Sequence, residues 1–310
     1  MAAVLQPPTS SGLSFEPLAQ APPLIRSNEG EYIKQKSLGW LRPTAKDTTL
    51  DEMRRRFDTD GYLLIKGLIP REDVLDMREQ NLQRSRRPPH PPRNRGSSLP
   101  EEQAKVNRLI EAHLTPEYLS FVAHPVLGSF VRKFMDWKNE VLVKRSMLRH
   151  NVPGGLSTGI HYDRIFLRAG EAEFLTAWVP IGDCSAKGGG LMYMEGSSQL
   201  GKEIERDFTE RAKDMSPEER LSGFNRNMAE GGQLAQDAAA FGRDEGKWLT
   251  ADYEAGDVVF HNPYMIHAAV KNEDFETGRI RLSTDLRFYE EGSKLDERWM
   301  QKFWTPNDGL

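Results

Sequence analysis

The stretch Gly256-Asp257-Val258-Val259-Phe260-His261-Asn262-Pro263-Tyr264-Met265-Ile266-His267 decides the fold that this sequence predicts. A glycine turn precedes a short apolar strand, Asn262-Pro263 breaks the strand, and a second apolar segment ends at His267. This order of turn, strand, sharp bend and histidine predicts an imidazole at the start of a new strand, opposite a partner strand in a barrel.

Short apolar runs between glycine, proline and asparagine continue on both sides of this stretch. Strands are predicted at 61–69, 140–148, 174–181, 191–194, 246–251, 257–260, 265–270 and 279–288. Helices are predicted at 49–59, from Pro70 onward, around 101–114 and over 116–137. An α-rich first half followed by many short strands indicates a mainly β fold, an antiparallel double sheet backed by helices.

The domain organisation follows from length and local composition. A chain of 310 residues can form one large domain, and we predict one over residues 26–310. Residues 1–25, rich in Pro, Ala, Ser and Gln, are predicted to be a mobile arm, and the polar, helical segment 202–243 an insertion or lid. The Arg- and Pro-rich segment 84–95 is predicted to be an exposed loop. A nucleic-acid patch is the alternative, disfavoured because no aromatic residues are interleaved there.

Charge and cysteine content restrict the expected partners. The net charge of −4 gives no global basic field that would suggest nucleic acid. No apolar run approaches the roughly 18 residues of a membrane span, and the N-terminus lacks a signal-peptide layout. The single cysteine, Cys184, excludes an intramolecular disulfide and suits a reducing compartment. We therefore expect a cytoplasmic protein that binds neither nucleic acid nor membrane.

The second candidate site segment is His161-Tyr162-Asp163. With seven histidines and 46 acidic residues in the chain, roughly one His-x-Asp or His-x-Glu is expected by chance, so the motif alone is weak. On a strand, however, both side chains point to the same face. With His267 they supply two imidazoles and one carboxylate, the ligand set of non-haem Fe(II) oxygenases. His261 is the alternative to His267, and a structural role is the alternative for each histidine.

Two arginines follow His267 on one predicted strand face. Arg279 and Arg281 alternate with apolar residues, and Ser283 continues the alternation. An inward-facing arginine with a hydroxyl two residues later is a good receptor for a dicarboxylic acid. The alternative is a pair of surface arginines on an edge strand. Trp178, on the strand predicted at 174–181, is either a core aromatic or a wall of the site.

Together these residues resemble the phytanoyl-CoA dioxygenase family of Fe(II)/2-oxoglutarate oxygenases. The resemblance spans roughly residues 50–290, and its ordered series is more specific than any single motif. The matching segments are Phe57-x-x-Asp60-Gly61-Tyr62, His161-Tyr162-Asp163, Thr176-Ala177-Trp178, the glycine turn 188–198, Gly256-Asp257 through His267, and Arg281-x-Ser283.

The resemblance implies a double-stranded β-helix, also called a jelly roll or cupin-like fold. It implies that His161, Asp163 and His267 ligate Fe(II), and that Arg281 binds the distal carboxylate of the cosubstrate 2-oxoglutarate with Trp178 flanking it. The family's Ser or Thr two residues after the distal histidine is Ala269 here, for which Ser283 or Thr176 would compensate. The spacing of 14 residues from His267 to Arg281 is slightly long and leaves Arg279 as the alternate.

The resemblance implies a dioxygenase that uses O2 to oxidise a C–H bond of a small organic molecule, such as a specialised metabolite. Hydroxylation is the expected outcome, while desaturation, epoxidation or ring expansion would need only a different substrate pose. A jelly-roll protein that binds metal and ligand without turnover is the main alternative, and a zinc hydrolase on a similar barrel is a third. The aromatic C-terminal segment is expected to pack on the barrel or to form a homodimer (Trp299, Met300, Phe303, Trp304).

Overall fold

Two β-sheets form the centre of the protein. A computed structural model describes residues 20–28, 30–86, 112, 115–216, 234–241 and 246–301. The sheets contain β1 Leu38–Trp40, β2 Pro43–Ala45, β3 Tyr62–Lys66, β4 Glu140–Leu142, β5 Met147–Asn151, β6 Leu175–Pro180, β7 Leu191–Met194, β8 Trp248–Thr250, β9 Val258–His261, β10 His267–Ala269 and β11 Arg281–Glu290. The smaller sheet has the order β1-β8-β7-β10, and the larger has the order β2-β3-β9-β6-β11-β4, with β5 also paired to β11.

Helices cover the outer face of the larger sheet. They are α1 Leu50–Asp60, α2 Arg71–Arg86, α3 Pro116–Val122 and α4 Pro125–Met135. A further helix, α5 Ser198–Ala212, follows β7. Short 3₁₀ turns occupy Gln35–Ser37, Asp163–Phe166 and Glu297–Met300. The predicted double sheet with supporting helices is therefore present.

Strand β11 shows how the two faces of the larger sheet differ. Leu282 and Leu286 belong to the core that the sheet shares with α1 to α4. The alternate side chains of the same strand line a pocket between the two sheets (Arg281, Asp285, Arg287). Because strand side chains alternate, one strand serves both as a wall of the hydrophobic core and as a wall of the site.

The first helix and strand follow their sequence signals closely. The Thr49 hydroxyl caps α1 by accepting a hydrogen bond from the Glu52 backbone N–H at 3.4 Å. Gly61, with a φ of 77°, ends the helix in the left-handed conformation that glycine adopts most easily. The chain then enters β3 directly, which confirms the predicted helix and the strand after it.

Three predictions of secondary structure need correction. The predicted strand 140–148 is two strands, because Arg145 leaves the sheet: its backbone N–H donates to the Trp299 carbonyl at 3.1 Å. The helix predicted over 116–137 is two helices, since Pro125 starts a new one that His124 caps. Asp163 lies in a 3₁₀ turn rather than on a regular strand. The short strands β1 and β2 were not predicted.

Several predictions fall partly outside the described ranges. Helix α2 continues through Arg86, so the predicted loop 84–95 begins later than expected, and residues 87–95 are not described. The helix predicted around 101–114 also lies outside the described residues except at Ala112. Helix α5 covers the start of the predicted lid 202–243, whose residues 217–233 and 242–243 are not described. The arm, the lid and the single-domain organisation stay predictions. No helix within the described ranges is both long and apolar enough to cross a membrane.

Gly201 provides a test of the packing between α5 and the segment after β9. An added Cβ at Gly201 would meet the backbone oxygen of Tyr264 well inside contact distance. Alanine normally stabilises a helix interior by about 1 kcal/mol over glycine. We expect Gly201→Ala instead to lower the free energy of unfolding by about 1–3 kcal/mol, because the backbone at Tyr264 or the helix itself must move to make room for the methyl group. Chemical denaturation would measure this difference.

The matched control for this prediction is Gly128→Ala in α4. There the added Cβ would lie 2.6 Å from Glu140 Oε1, the end of a flexible side chain that can move aside. Gly128→Ala should therefore be neutral or stabilising by up to about 1 kcal/mol. Equal stabilisation by both substitutions would show that α5 does not pack tightly at Gly201.

Candidate metal centre

Two histidines face each other where the sheets meet. The His161 backbone N–H donates to the His267 carbonyl at 2.9 Å, and the His267 N–H returns a bond to the His161 carbonyl at 2.8 Å. This reciprocal bridge places the imidazole centroids 4.2 Å apart. Residues 106 positions apart in the chain are thus directly opposite, as the pattern of turn, strand and bend before His267 predicts.

Asp163 joins the two histidines because the intervening residue is extended. Tyr162 has φ −127° and ψ 148°, so the side chains on either side of it point the same way. Oδ1 of Asp163 lies 3.7 Å from His161 Nε2 and 3.9 Å from His267 Nε2. One ligand atom from each of the three residues lies within 4.8 Å of the others, and all three side chains are buried.

Hydrogen bonds set the tautomer of both imidazoles. His161 Nδ1 lies 2.8 Å from the Gly159 carbonyl, and His267 Nδ1 lies 2.9 Å from the Met265 carbonyl. Because a carbonyl only accepts, each Nδ1 carries the proton and each Nε2 presents a lone pair to the centre of the site. Burial lowers the pKa of His161 and holds the pKa of His267 well below its usual value. Both imidazoles are therefore neutral, and each can offer its Nε2 lone pair to a metal ion.

Asp163 is buried but remains charged. Burial by itself would raise its pKa, but the charge of Arg287 and the hydrogen bond from His261 outweigh burial and hold the pKa well below its usual value. The Thr176 hydroxyl also donates to Asp163 Oδ2, at 2.6 Å. A deprotonated carboxylate beside two neutral imidazoles is a donor set that fits Fe(II).

His261, the alternative ligand, has a different place in the site. Its Nε2 lies 3.4 Å from Asp163 Oδ2, and its Nδ1 lies 3.1 Å from the Tyr193 hydroxyl. Since a carboxylate only accepts, Nε2 carries the proton and Nδ1 accepts from Tyr193. Both ring nitrogens are therefore engaged with protein groups, and the geometry favours His267 over His261 as a ligand.

The pocket beside these residues contains Arg281 but not Arg279. Arg281 is buried, and its Nε donates to the Gly189 carbonyl at 2.7 Å and its Nη1 to the Ser283 hydroxyl at 2.6 Å. Burial lowers its pKa to about 10, which leaves it charged at neutral pH. Arg279 is exposed and donates to the Asp183 carbonyl at 3.3 Å. Of the two arginines, only Arg281 can meet a ligand in the pocket.

Of the other predicted cosubstrate residues, Trp178 and Thr176 line this pocket, whereas Ser283 does not line it and contacts Arg281 instead. Trp178 is buried there, and its indole N–H has no hydrogen-bond partner among the described residues. Thr176 lies at the pocket wall, but its hydroxyl is committed to Asp163. Ala269 also lines the pocket, as expected for a position where the hydroxyl is missing. The contacts of Trp178, Thr176 and Ser283 with a cosubstrate stay predictions.

Sequence reasoning missed three charged residues of the site. Arg287 pairs with Asp163, and Asp285 accepts a hydrogen bond from Arg149 Nε at 2.6 Å. All three line the pocket. The signal for two of them was present, since Asp285 and Arg287 continue the alternation that begins with Arg281 and Ser283. For Arg149 no signal within the sequence existed.

Comparison with known proteins agrees with this geometry. The family model described as "Phytanoyl-CoA dioxygenase (PhyH)" matches residues 57–276. The chain belongs to the phytanoyl-CoA dioxygenase (PhyH) family. This membership confirms the predicted jelly-roll fold and the predicted enzyme class, an Fe(II)- and 2-oxoglutarate-dependent dioxygenase.

Two curated relatives of this PhyH-family chain are hydroxylases. The 1-deoxypentalenic acid 11-beta-hydroxylase of Streptomyces arenae is 24% identical over 247 residues, which cover 76% of this chain and 80% of the relative. The protein of the same name from Streptomyces exfoliatus is 24% identical over 245 residues, with the same two coverages. Among solved structures, the non-heme alpha ketoglutarate dependent epimerase SnoN from nogalamycin biosynthesis has a TM-score of 0.50 at 18% identity. That match covers 78% of this chain and 83% of SnoN, and supports the shared fold.

Proposed function

We propose that this protein hydroxylates a C–H bond of a small organic molecule. The reaction would consume O2 and 2-oxoglutarate and release succinate and CO2, with one oxygen atom entering the product and the other entering succinate. The observation that carries the proposal is the convergence of two neutral Nε2 atoms and one carboxylate oxygen beside a buried arginine (His161, His267, Asp163, Arg281).

Each residue has a proposed role. His161, Asp163 and His267 would hold Fe(II), which when bound supplies the redox chemistry that couples O2 to oxidation of 2-oxoglutarate and substrate. Arg281, held by Ser283 and the Gly189 carbonyl, would bind the distal carboxylate of 2-oxoglutarate. Trp178 would flank the cosubstrate and exclude water from it. Its indole N–H, which none of the described residues accepts from, is available to donate to the cosubstrate.

The substrate class is proposed from the relatives. The two hydroxylases named above act on a small carboxylic acid by their printed names. We accordingly propose a small molecule of specialised metabolism as the substrate and hydroxylation as the outcome. Desaturation, epoxidation or ring expansion would differ only in how the substrate is held.

Location and assembly are also proposals. A chain with one cysteine suits a reducing compartment, which supports a cytoplasmic location. Trp299 is buried against its own chain, where its Nε1 donates to the Phe166 carbonyl at 2.9 Å. Phe303 and Trp304 lie outside the described residues, so the homodimer stays a prediction.

The test of the function is the release of succinate. Metal-free protein given Fe(II), 2-oxoglutarate and O2 should form succinate slowly without a substrate, and faster with one. Protein without Fe(II) or without O2 provides the control. A protein that binds Fe(II) but forms no succinate with any candidate substrate would support the non-catalytic alternative. Activity that does not need oxygen would instead support a zinc hydrolase.

A further inference from the structure

We propose that Arg287 is a positioning residue that fixes the Asp163 carboxylate so that only Oδ1 is offered to the metal. This inference rests on the proposed function, because it concerns the same site. It assigns a role to a buried arginine that pairs with Asp163 and would act through it. The argument depends on which donors each carboxylate oxygen meets.

The two oxygens of Asp163 have different surroundings. Oδ2 meets three donors: the Thr176 hydroxyl at 2.6 Å, Arg287 Nε at 3.3 Å and His261 Nε2 at 3.4 Å. Oδ1 meets Arg287 Nη2 at 3.1 Å and is the oxygen nearest to the Nε2 atoms of the two ligand histidines. Because Oδ2 is fully engaged by protein donors, Oδ1 is the oxygen left for a metal ion.

Arg287 is the only one of these donors that reaches both oxygens among the described residues. Its Nε and Nη2 form the two-pronged contact that a guanidinium makes with a carboxylate. It also lies opposite Thr176 in the register between β11 and β6. Two side chains at paired positions on adjacent strands, Arg287 and Thr176, therefore donate to the carboxylate. Rotation of the carboxylate would break its contacts with both.

The guanidinium is itself held in place by packing. Arg287 is 3% exposed, and its Cζ lies 5.2 Å from the centre of the Trp299 ring. The Trp299 indole donates to the carbonyl of Phe166, the last residue of the 3₁₀ turn that begins at Asp163. The arginine, the tryptophan and the carboxylate thus form one connected unit. A shorter or uncharged side chain at position 287 would not reproduce the two-pronged contact, which we call the fork.

The charge of Arg287 and its two-pronged contact can be tested separately. Its charge acts in two directions, because it repels a cation but also favours the deprotonated Asp163 carboxylate that a cation needs. Loss of the two-pronged contact lets the carboxylate rotate and leaves Oδ2 short of donors, which weakens Fe(II) binding. Arg287→Lys keeps the charge without the two-pronged contact, so this variant separates positioning from electrostatics.

The experiment measures Fe(II) affinity without oxygen, by competition with a coloured chelator. We expect Arg287→Met to bind Fe(II) about 10- to 100-fold more weakly than the natural chain, the range typical for lost partners of metal ligands. The visible charge-transfer band that forms when 2-oxoglutarate is added should also shift, because the geometry at the metal changes. Arg287→Lys keeps the charge but lacks the fork, and it should recover little of the affinity.

Arg145→Met is the matched control. Arg145 is also buried, and its Cζ lies 5.5 Å from the centre of the Trp299 ring. Within the described part of the chain, no hydrogen bond or ion pair joins Arg145 to Asp163. This variant should keep the affinity and the band of the natural chain, which separates a lost contact with Asp163 from a lost contact with Trp299. Circular dichroism would check folding, and Arg287→Lys decides the question if Arg287→Met does not fold.

Three outcomes would overturn the inference: unchanged or tighter Fe(II) binding by Arg287→Met, full recovery by Arg287→Lys, or an equal loss in Arg145→Met. Each of these leaves the proposed function standing, provided that the natural chain binds Fe(II) and forms succinate. If the natural chain itself bound no Fe(II), the proposed function would fail first. The two failures are therefore distinguishable.

Discussion

Replacement of His267 with alanine should abolish Fe(II)-dependent formation of succinate. The substitution removes one of the two Nε2 lone pairs that converge with Asp163 Oδ1. Loss of a partner of a metal ligand typically costs about 10- to 100-fold, so loss of a ligand itself should exceed about 100-fold in Fe(II) affinity. Anaerobic titration with Fe(II) and a succinate assay would measure the two effects.

His150→Ala is the control for this substitution. His150 Nε2 lies 2.9 Å from Asn81 Oδ1. On β5, His150 follows Arg149, which lines the pocket, so the His150 side chain points to the opposite face of the strand, away from the pocket. We expect His150→Ala to bind Fe(II) as the natural chain does. If His267→Ala kept stoichiometric Fe(II) while His261→Ala lost it, the choice of His267 as ligand would be wrong.

Replacement of Arg281 with methionine should raise the KM for 2-oxoglutarate. Arg281 is buried and charged, and its neighbours Ser283 and Gly189 orient it without neutralising it. Truncation of one partner of a buried charge pair costs about 2–5 kcal/mol, which corresponds to roughly 30- to 5000-fold in affinity. Initial rates of succinate formation against 2-oxoglutarate concentration would give this ratio, and Fe(II) affinity should change much less.

Two further variants sharpen the assignment of the cosubstrate arginine. Arg279→Met changes an exposed residue and should leave the KM for 2-oxoglutarate unchanged. Arg281→Lys keeps the charge but cannot form the two-pronged contact, so it should restore only part of the affinity. A large rise in KM for Arg279→Met, with none for Arg281→Met, would reverse the assignment.

The parts of the site that sequence reasoning found are those encoded by local patterns. Glycine, an apolar run, Asn-Pro and a histidine predict β9, the bend and His267, because each signal acts within a few residues. Alternation along one strand likewise identifies Arg281 and Ser283. The same alternation reaches Arg287, but its partner Asp163 lies 124 residues away, and no local pattern reports such a pairing.

The fold shows the same limit at its edges. Strand β1 spans three residues and exists because it pairs in parallel with β8, which lies 210 positions later in the chain. Nothing in Leu38-Gly39-Trp40 alone distinguishes it from a loop. By contrast, the break between α3 and α4 was available from His124-Pro125, since proline is favoured at the first position of a helix.

The reciprocal bridge between His161 and His267 has a consequence for how the geometry of the site is specified. Two hydrogen bonds join the backbone segments that carry two of the three proposed ligands, and a carbonyl group orients each imidazole. The pairing of these two segments therefore also sets the separation of the two imidazoles. A substitution that disturbs this pairing would displace both proposed ligands at once, so their placement depends on the backbone and not on either side chain alone.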